Sequence, residues 1–188
     1  KAQYPVGTAK DGSIVMGFYA GRTHSIISCT DCKIGAVENK YILAVIKSWM
    51  ELNGVAPYDE QTGKGLVRHV LIRTGFHTDE IMVCLVINGT KMSDKLKESL
   101  VGRLTEVSLD SDISTDKCIR SIMLNFNTEN TNVILGRQCE TLWGKSYIED
   151  YIGDIKYQIS PLSFFQVNPR QTEKLYGKAL EYAGLTGK

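Results

Sequence analysis

Leu66-Val67-Arg68-His69-Val70-Leu71-Ile72-Arg73 and Glu80-Ile81-Met82-Val83-Cys84-Leu85-Val86-Ile87-Asn88 are two apolar runs joined through Gly75-Phe76-His77-Thr78-Asp79. Their β-branched content predicts two strands. Ser93 then opens a helical pattern to about residue 107, with Leu96, Leu100 and Leu104 on one stripe. Residues 117–126 form a further apolar run. The order strand, strand, helix, strand predicts an α+β fold built on an antiparallel sheet with helices.

On the N-terminal side, residues 2–6, 14–19 and 24–27 are short apolar runs. Lys10-Asp11-Gly12-Ser13 and Gly21-Arg22-Thr23 separate them. Such turn residues between short runs predict a small antiparallel meander. Val37, Tyr41, Val45, Trp49 and Leu52 recur at helical spacing, which predicts a helix with that face buried, ending at Asn53-Gly54. On the C-terminal side a short strand is expected at 133–135. Residues 141–143 and 147–152 are expected to be hairpin arms around Gly144, and 155–159 a strand.

That last strand runs into Ile159-Ser160-Pro161-Leu162-Ser163-Phe164-Phe165-Gln166-Val167-Asn168. Asn168 is suited to cap a helix over 169–183, with Pro169 at its first position, Gln171 at the capping-box position and Gly184 as its stop. A strand-to-helix junction of this kind presents side chains together with free backbone N–H groups. The expected domain division follows it: residues 1–160 as an α+β domain, and 161–188 as the beginning of another. The final helix (Leu175, Ala179, Leu180, Ala183) has no following strand to cover it and is expected to be mobile or packed on a neighbouring molecule. The opening Lys1-Ala2-Gln3-Tyr4-Pro5 lacks an initiator Met, and with that uncovered helix it suggests a stretch cut from a longer protein.

In bulk the chain has 188 residues, 43% hydrophobic and 23% charged, which suits a globular protein. No apolar run is long enough to span a bilayer. A net charge of +1 supplies no overall field toward nucleic acid, although a local basic patch remains open. Five cysteines without framework spacing point to a reducing, cytoplasmic setting.

Few residues carry readable chemistry. Cys29-Thr30-Asp31-Cys32 has metal-ligand spacing, but Cys84, Cys118 and Cys139 are scattered, and Cys84 and Cys118 read most simply as core. His24, His69 and His77 form no nucleophilic dyad. Arg68 and Arg73, sharing a face with Arg120, could make a phosphate-binding stripe; the simpler reading is a solvated sheet face. Gly63-Lys64-Gly65 lacks the frame of a phosphate loop. Phe164 and Phe165 are most simply core, whereas Gln166 beside them needs partners for its amide. At a helix entrance it could bond a cofactor or a flipped base.

Several stretches, in order, resemble RNA uracil-5-methyltransferases of the RumA/TrmA type. They are Lys1-Ala2-Gln3-Tyr4-Pro5-Val6, Gly17-Phe18-Tyr19, Asn132-Val133-Ile134-Leu135-Gly136 and the run from Ser160 to Asn168. Leu142-Trp143-Gly144 and the tail Tyr182-Ala183-Gly184-Leu185-Thr186-Gly187 are similar to bacterial ribosomal members. The resemblance implies a three-part enzyme: an RNA-binding barrel, a central α+β domain and a Rossmann-like domain for S-adenosylmethionine. In that family the target base is flipped out. A cysteine thiolate adds to uracil C6, C5 takes the methyl group, and a base removes the C5 proton.

Carried onto this chain, the resemblance makes Gln166 an S-adenosylmethionine contact and Cys32 the fourth ligand of a [4Fe–4S] cluster. Phe164 falls at the pocket edge, facing the RNA base. The other cluster ligands, the nucleophilic cysteine, the base and the glycine-rich cofactor loop have no counterpart here. The expectation is therefore part of a 23S ribosomal RNA methyltransferase that holds RNA and cofactor, has no catalytic residue of its own and is inactive alone. A transfer-RNA substrate, and a non-catalytic RNA- or protein-binding module, are the alternatives.

Overall fold

The computed structural model describes residues 1–107 and 115–184. The expected tail residues Leu185, Thr186 and Gly187 lie outside them. The strands are β1 (Ala2–Thr8), β2 (Ile14–Tyr19), β3 (Ile26–Ser28), β4 (Val67–Thr74), β5 (Glu80–Ile87), β6 (Cys118–Phe126), β7 (Gln138–Gly144), β8 (Ile148–Ile152) and β9 (Ile155–Ile159). The helices are α1 (Glu38–Leu52), α2 (Asp94–Thr105) and α3 (Pro169–Ala183).

Seven strands form one sheet in the order β3-β2-β1-β4-β5-β6-β7, and β8 and β9 form a separate hairpin. The fold is α+β, as expected, and the sheet is mostly antiparallel. One pair departs: β5 and β6 run parallel. Their connection carries α2, and a parallel partner needs a crossover of that length rather than a tight turn.

The two sheet faces bury different cores. On one face Val70, Ile72, Val83, Leu85, Ile122 and Leu124 pack against the helices. On the other, Leu71, Met82, Cys84 and Met123 pack under Ile148 and Ile159 of the hairpin. Strands covered on both sides read as continuous apolar runs, which is the pattern of β4 and β5.

Three expectations are corrected. The buried face of α1 is Ile42, Leu43, Ile46, Trp49 and Met50, while Val37 and Leu52 are 59% and 66% exposed. The helix docks along its denser apolar stripe, and Trp49 alone belongs fully to both. Residues 133–135 form no strand: buried Asn127 donates its side-chain amide to the carbonyls of Val133 and Ile134 at 2.7 and 3.0 Å and holds them in a loop. Residues 141–143 pair with β6, and β8 pairs instead with β9. Gly144 is no hairpin centre. Its φ is +73°, and a Cβ there would lie 2.1 Å from the Arg120 carbonyl oxygen, so the strand end needs glycine for close approach.

Candidate functional site

The junction after β9 is a braced turn. Ser160 N–H donates to Ser163 Oγ at 3.0 Å, and Ser163 N–H donates back to the Ser160 carbonyl at 3.2 Å. From beneath, Arg73 Nη2 donates to the carbonyls of Pro161 (3.0 Å) and Ser163. Asn168 caps α3: its side chain accepts from Gln171 N–H at 3.2 Å, and Pro169 occupies the first turn. Gly184 ends the helix in the left-handed region, φ +55°.

These bonds fix the turn without using the Gln166 amide. Gln166 is half-buried at the helix entrance, and Phe165 packs on Tyr157 with ring centroids 5.7 Å apart. Phe164, by contrast, is 85% exposed. One aromatic of the pair is therefore partly buried against the core, and the other is exposed beside Gln166. On α3, Leu175, Tyr176 and Leu180 are also exposed, so its apolar side lies uncovered.

The arginines do not form the stripe that sequence spacing suggested. Arg73 is 3% exposed and points under the turn; burial pulls its pKa down. Buried Arg68 donates to the carbonyls of Asn127 and Glu129, each at 2.8 Å, and lies over the Tyr58 ring at 4.4 Å. Arg120 is exposed and paired to Asp79 at 2.6 Å, which raises its pKa. Two of the three cations thus serve loop carbonyls, because a buried guanidinium must spend its donors on acceptors within reach.

Among the cysteines, Cys84 is core as expected, and its thiol pKa is pushed up by burial. Cys118 is exposed instead, because it opens β6 at the sheet margin. Cys29 and Cys32 are half-buried. Among the described residues no group of three or more His, Cys, Asp or Glu could hold a metal ion. The residues present do not fit a complete [4Fe–4S] cluster, which needs four ligands.

A second feature was not singled out by the sequence. A cavity of about 780 Å³, within the range of ligand pockets, opens between β1, β2 and the loop before β4. Tyr19, His24, Tyr58, Glu60, Arg68 and His69 line it. Glu60 accepts from Tyr19 Oη at 3.4 Å and lies 2.6 Å from His24 Nδ1. Burial and then Glu60 push the Tyr19 pKa up to about 12, so its hydroxyl stays protonated. His69 is 6% exposed, and neither ring nitrogen has a partner. The available signal was His69 interrupting an apolar run; its partners are remote in the chain.

Burial, and secondarily Arg68, lower the His69 pKa from 6.5 to about 4. The unfolded imidazole gains a proton below about pH 6.5, whereas the folded one resists until about pH 4. The unfolded state thus binds more protons in that window, and stability falls as pH drops through it. The loss attributable to His69 is expected to reach ~3 kcal/mol. Urea titrations of wild type and His69→Asn across pH 4–7 would check it; identical slopes would exclude the assignment.

No protein-family profile matches the chain. Bacterial proteins do. It is 46% identical over 187 residues to an uncharacterized RNA methyltransferase of Clostridium tetani, covering 100% of this chain and 38% of that protein. Another, from Staphylococcus epidermidis, is 43% identical over 188 residues, 100% of this chain and 39% of that protein. A crystal structure of Pyrococcus abyssi tRNA (uracil-54, C5)-methyltransferase in complex with S-adenosyl-L-homocysteine shares the fold. Its TM-score is 0.73 at 22% identity, over 96% of this chain and 39% of that one. The chain spans about two fifths of the length of these proteins. At that identity along its whole length, the chain is homologous to about two fifths of these bacterial proteins named RNA methyltransferases.

Proposed function

We propose that the gene product containing this chain transfers a methyl group from S-adenosylmethionine to C5 of uracil in 23S ribosomal RNA. The observation that carries this reading is the turn at 160–168: Gln166 stands half-buried at the entrance to α3, its amide unused by the bonds that brace the turn, with Phe164 exposed beside it. A cofactor bound there would supply the electrophilic methyl group. This chain's share is to position: Gln166 offers a donor and an acceptor to the cofactor, and Phe164 offers a ring face to the extruded base. The division at Pro161, with α3 beginning the cofactor-binding domain, belongs to the same reading and accounts for the helix's uncovered apolar side.

Cys32 would contribute one thiolate of a [4Fe–4S] cluster only if the other ligands lie outside these residues, and no step is assigned to it. A cytoplasmic location accords with an RNA substrate; among the described residues no helix is long and apolar enough to cross a membrane.

The test is transfer of labelled methyl groups to unmodified 23S ribosomal RNA and to transfer RNA by the complete gene product. Uracil-C5 labelling of the ribosomal substrate is expected. Gln166→Ala should lower the rate about tenfold, the worth of roughly one hydrogen bond to a charged ligand. Labelling of transfer RNA alone would reassign the substrate, and no labelling of either would leave a binding module as the better reading.

A further inference from the structure

The cavity above β4 has no part in the reading above. Its lining is chemically mixed, and each simple ligand class meets an obstacle. An anion would face the carboxylates of Asp59 and Glu60, which also line it. A lone cation would face Lys10 and Arg68. A purely apolar group would leave the buried His69 nitrogens and Arg68 Nε without partners, each at a desolvation cost.

What remains is a neutral, planar, polar-edged group. The neutral imidazole of His69 offers one donor and one acceptor. Tyr19 and Tyr58 offer ring faces, Tyr58 with Arg68 already stacked on it. Tyr19 and His24 are held by the single carboxylate of Glu60, so one wall is preset. Backbone geometry supports a purpose-built site. The β4–β5 register shifts between Val67 and His69, leaving Arg68 as the extra residue. In a regular strand Arg68 and His69 would point to opposite faces; the bulge lets both line one cavity.

We infer that this cavity takes an unpaired RNA base, separate from the methylated uracil, and so grips the substrate at a second point. The inference rests on the RNA reading above, but not on methyl transfer. Single-stranded RNA is recognised by this combination of ring stacking and edge hydrogen bonding, whereas a base in a duplex is not available to it.

The experiment is ultraviolet crosslinking of the complete gene product to an unmodified 23S ribosomal RNA transcript, with adducts mapped by mass spectrometry. A fully duplex RNA of equal length is the control. Nucleotide adducts are expected on the peptides carrying Tyr19 or Tyr58 with the transcript and not with the duplex. Binding of the transcript should weaken about tenfold in His69→Leu and recover to within about threefold in His69→Asn, which restores a donor and an acceptor. Tyr58→Leu, at a half-buried loop position, should weaken binding similarly and covers the case in which His69→Leu fails to fold.

Adducts confined to other peptides while RNA is bound, equal adducts from the duplex, or no RNA binding would overturn the inference. So would wild-type affinity in a folded His69→Leu or in Tyr58→Leu. If uracil is methylated but the cavity stays free of adducts, this inference falls alone. If adducts form there without any methylation, the inference stands and the proposed activity falls.

Discussion

Replacing Arg73 by leucine is expected to lower the proposed methyl transfer by the complete gene product about a hundredfold, and its unfolding free energy by ~2–4 kcal/mol. The side chain comes from the middle of the sheet and ends under the 160–168 turn, bonding the carbonyls of Pro161 and Ser163. Without it a buried and a part-buried carbonyl lose their shared donor, and the segment bearing Phe164 and Gln166 loses its support. A displacement of about 1 Å at a positioning residue is enough for a hundredfold loss.

An opposing effect limits the stability change. Arg73 has no carboxylate partner among the described residues, and burial already lowers its pKa, so leucine also removes a desolvation cost. Lysine should rescue in part, because both carbonyls take their hydrogens from one nitrogen, Nη2, and an ammonium can also donate to two acceptors. Urea denaturation, with amide exchange of residues 160–168, checks this. Unchanged exchange in that segment would mean that Arg73 does not hold the turn.

Asp150→Ala is expected to cost ~2–4 kcal/mol, since hydrogen bonds to a charged acceptor are worth more than neutral ones. Asp150 is 1% exposed and accepts from the backbone N–H groups of Phe76 and His77 at 2.8 and 2.9 Å. It thereby ties the β4–β5 link to β8. The tie extends further: His77 Nδ1 lies 3.1 Å from the Tyr151 carbonyl oxygen, and its Nε2 lies 3.5 Å from Glu173 on α3. Losing Asp150 should therefore loosen the hairpin and the base of α3 together. Asp150→Asn should fall between, because its amide keeps one acceptor and turns a donor toward the second N–H. A denaturation midpoint for Asp150→Ala within error of wild type would refute the argument.

The elements that were legible in the sequence are those whose cause is local. The α3 cap lies within three residues, Asn168 to Gln171, and the meander strands are bounded by their own turns. The β4 and β5 runs announce strands because both faces are covered, so every position is apolar or pays for an exception. The apolar residues of α1 lie on two adjoining stripes, which leaves its buried face ambiguous in the sequence. Only the sheet decides which one docks. Residues 141–143 pair with β6 rather than with 147–152 for a similar reason: a strand's propensity does not name its partner.

The candidate site divides the same way. The sequence by itself determined the strand-turn-helix junction and its cap, because hydrogen bonds between near neighbours are encoded where they occur. It also marked Arg68, His69 and Arg73 as exceptions in an apolar strand. Only the tertiary structure decided what those exceptions do: Arg73 reaches residues 161 and 163, Arg68 reaches 127 and 129, and His69 meets Tyr19 across a cavity. The physical reason is that a buried polar group must find its partner wherever the fold brings one, and that distance in space has no trace in sequence separation.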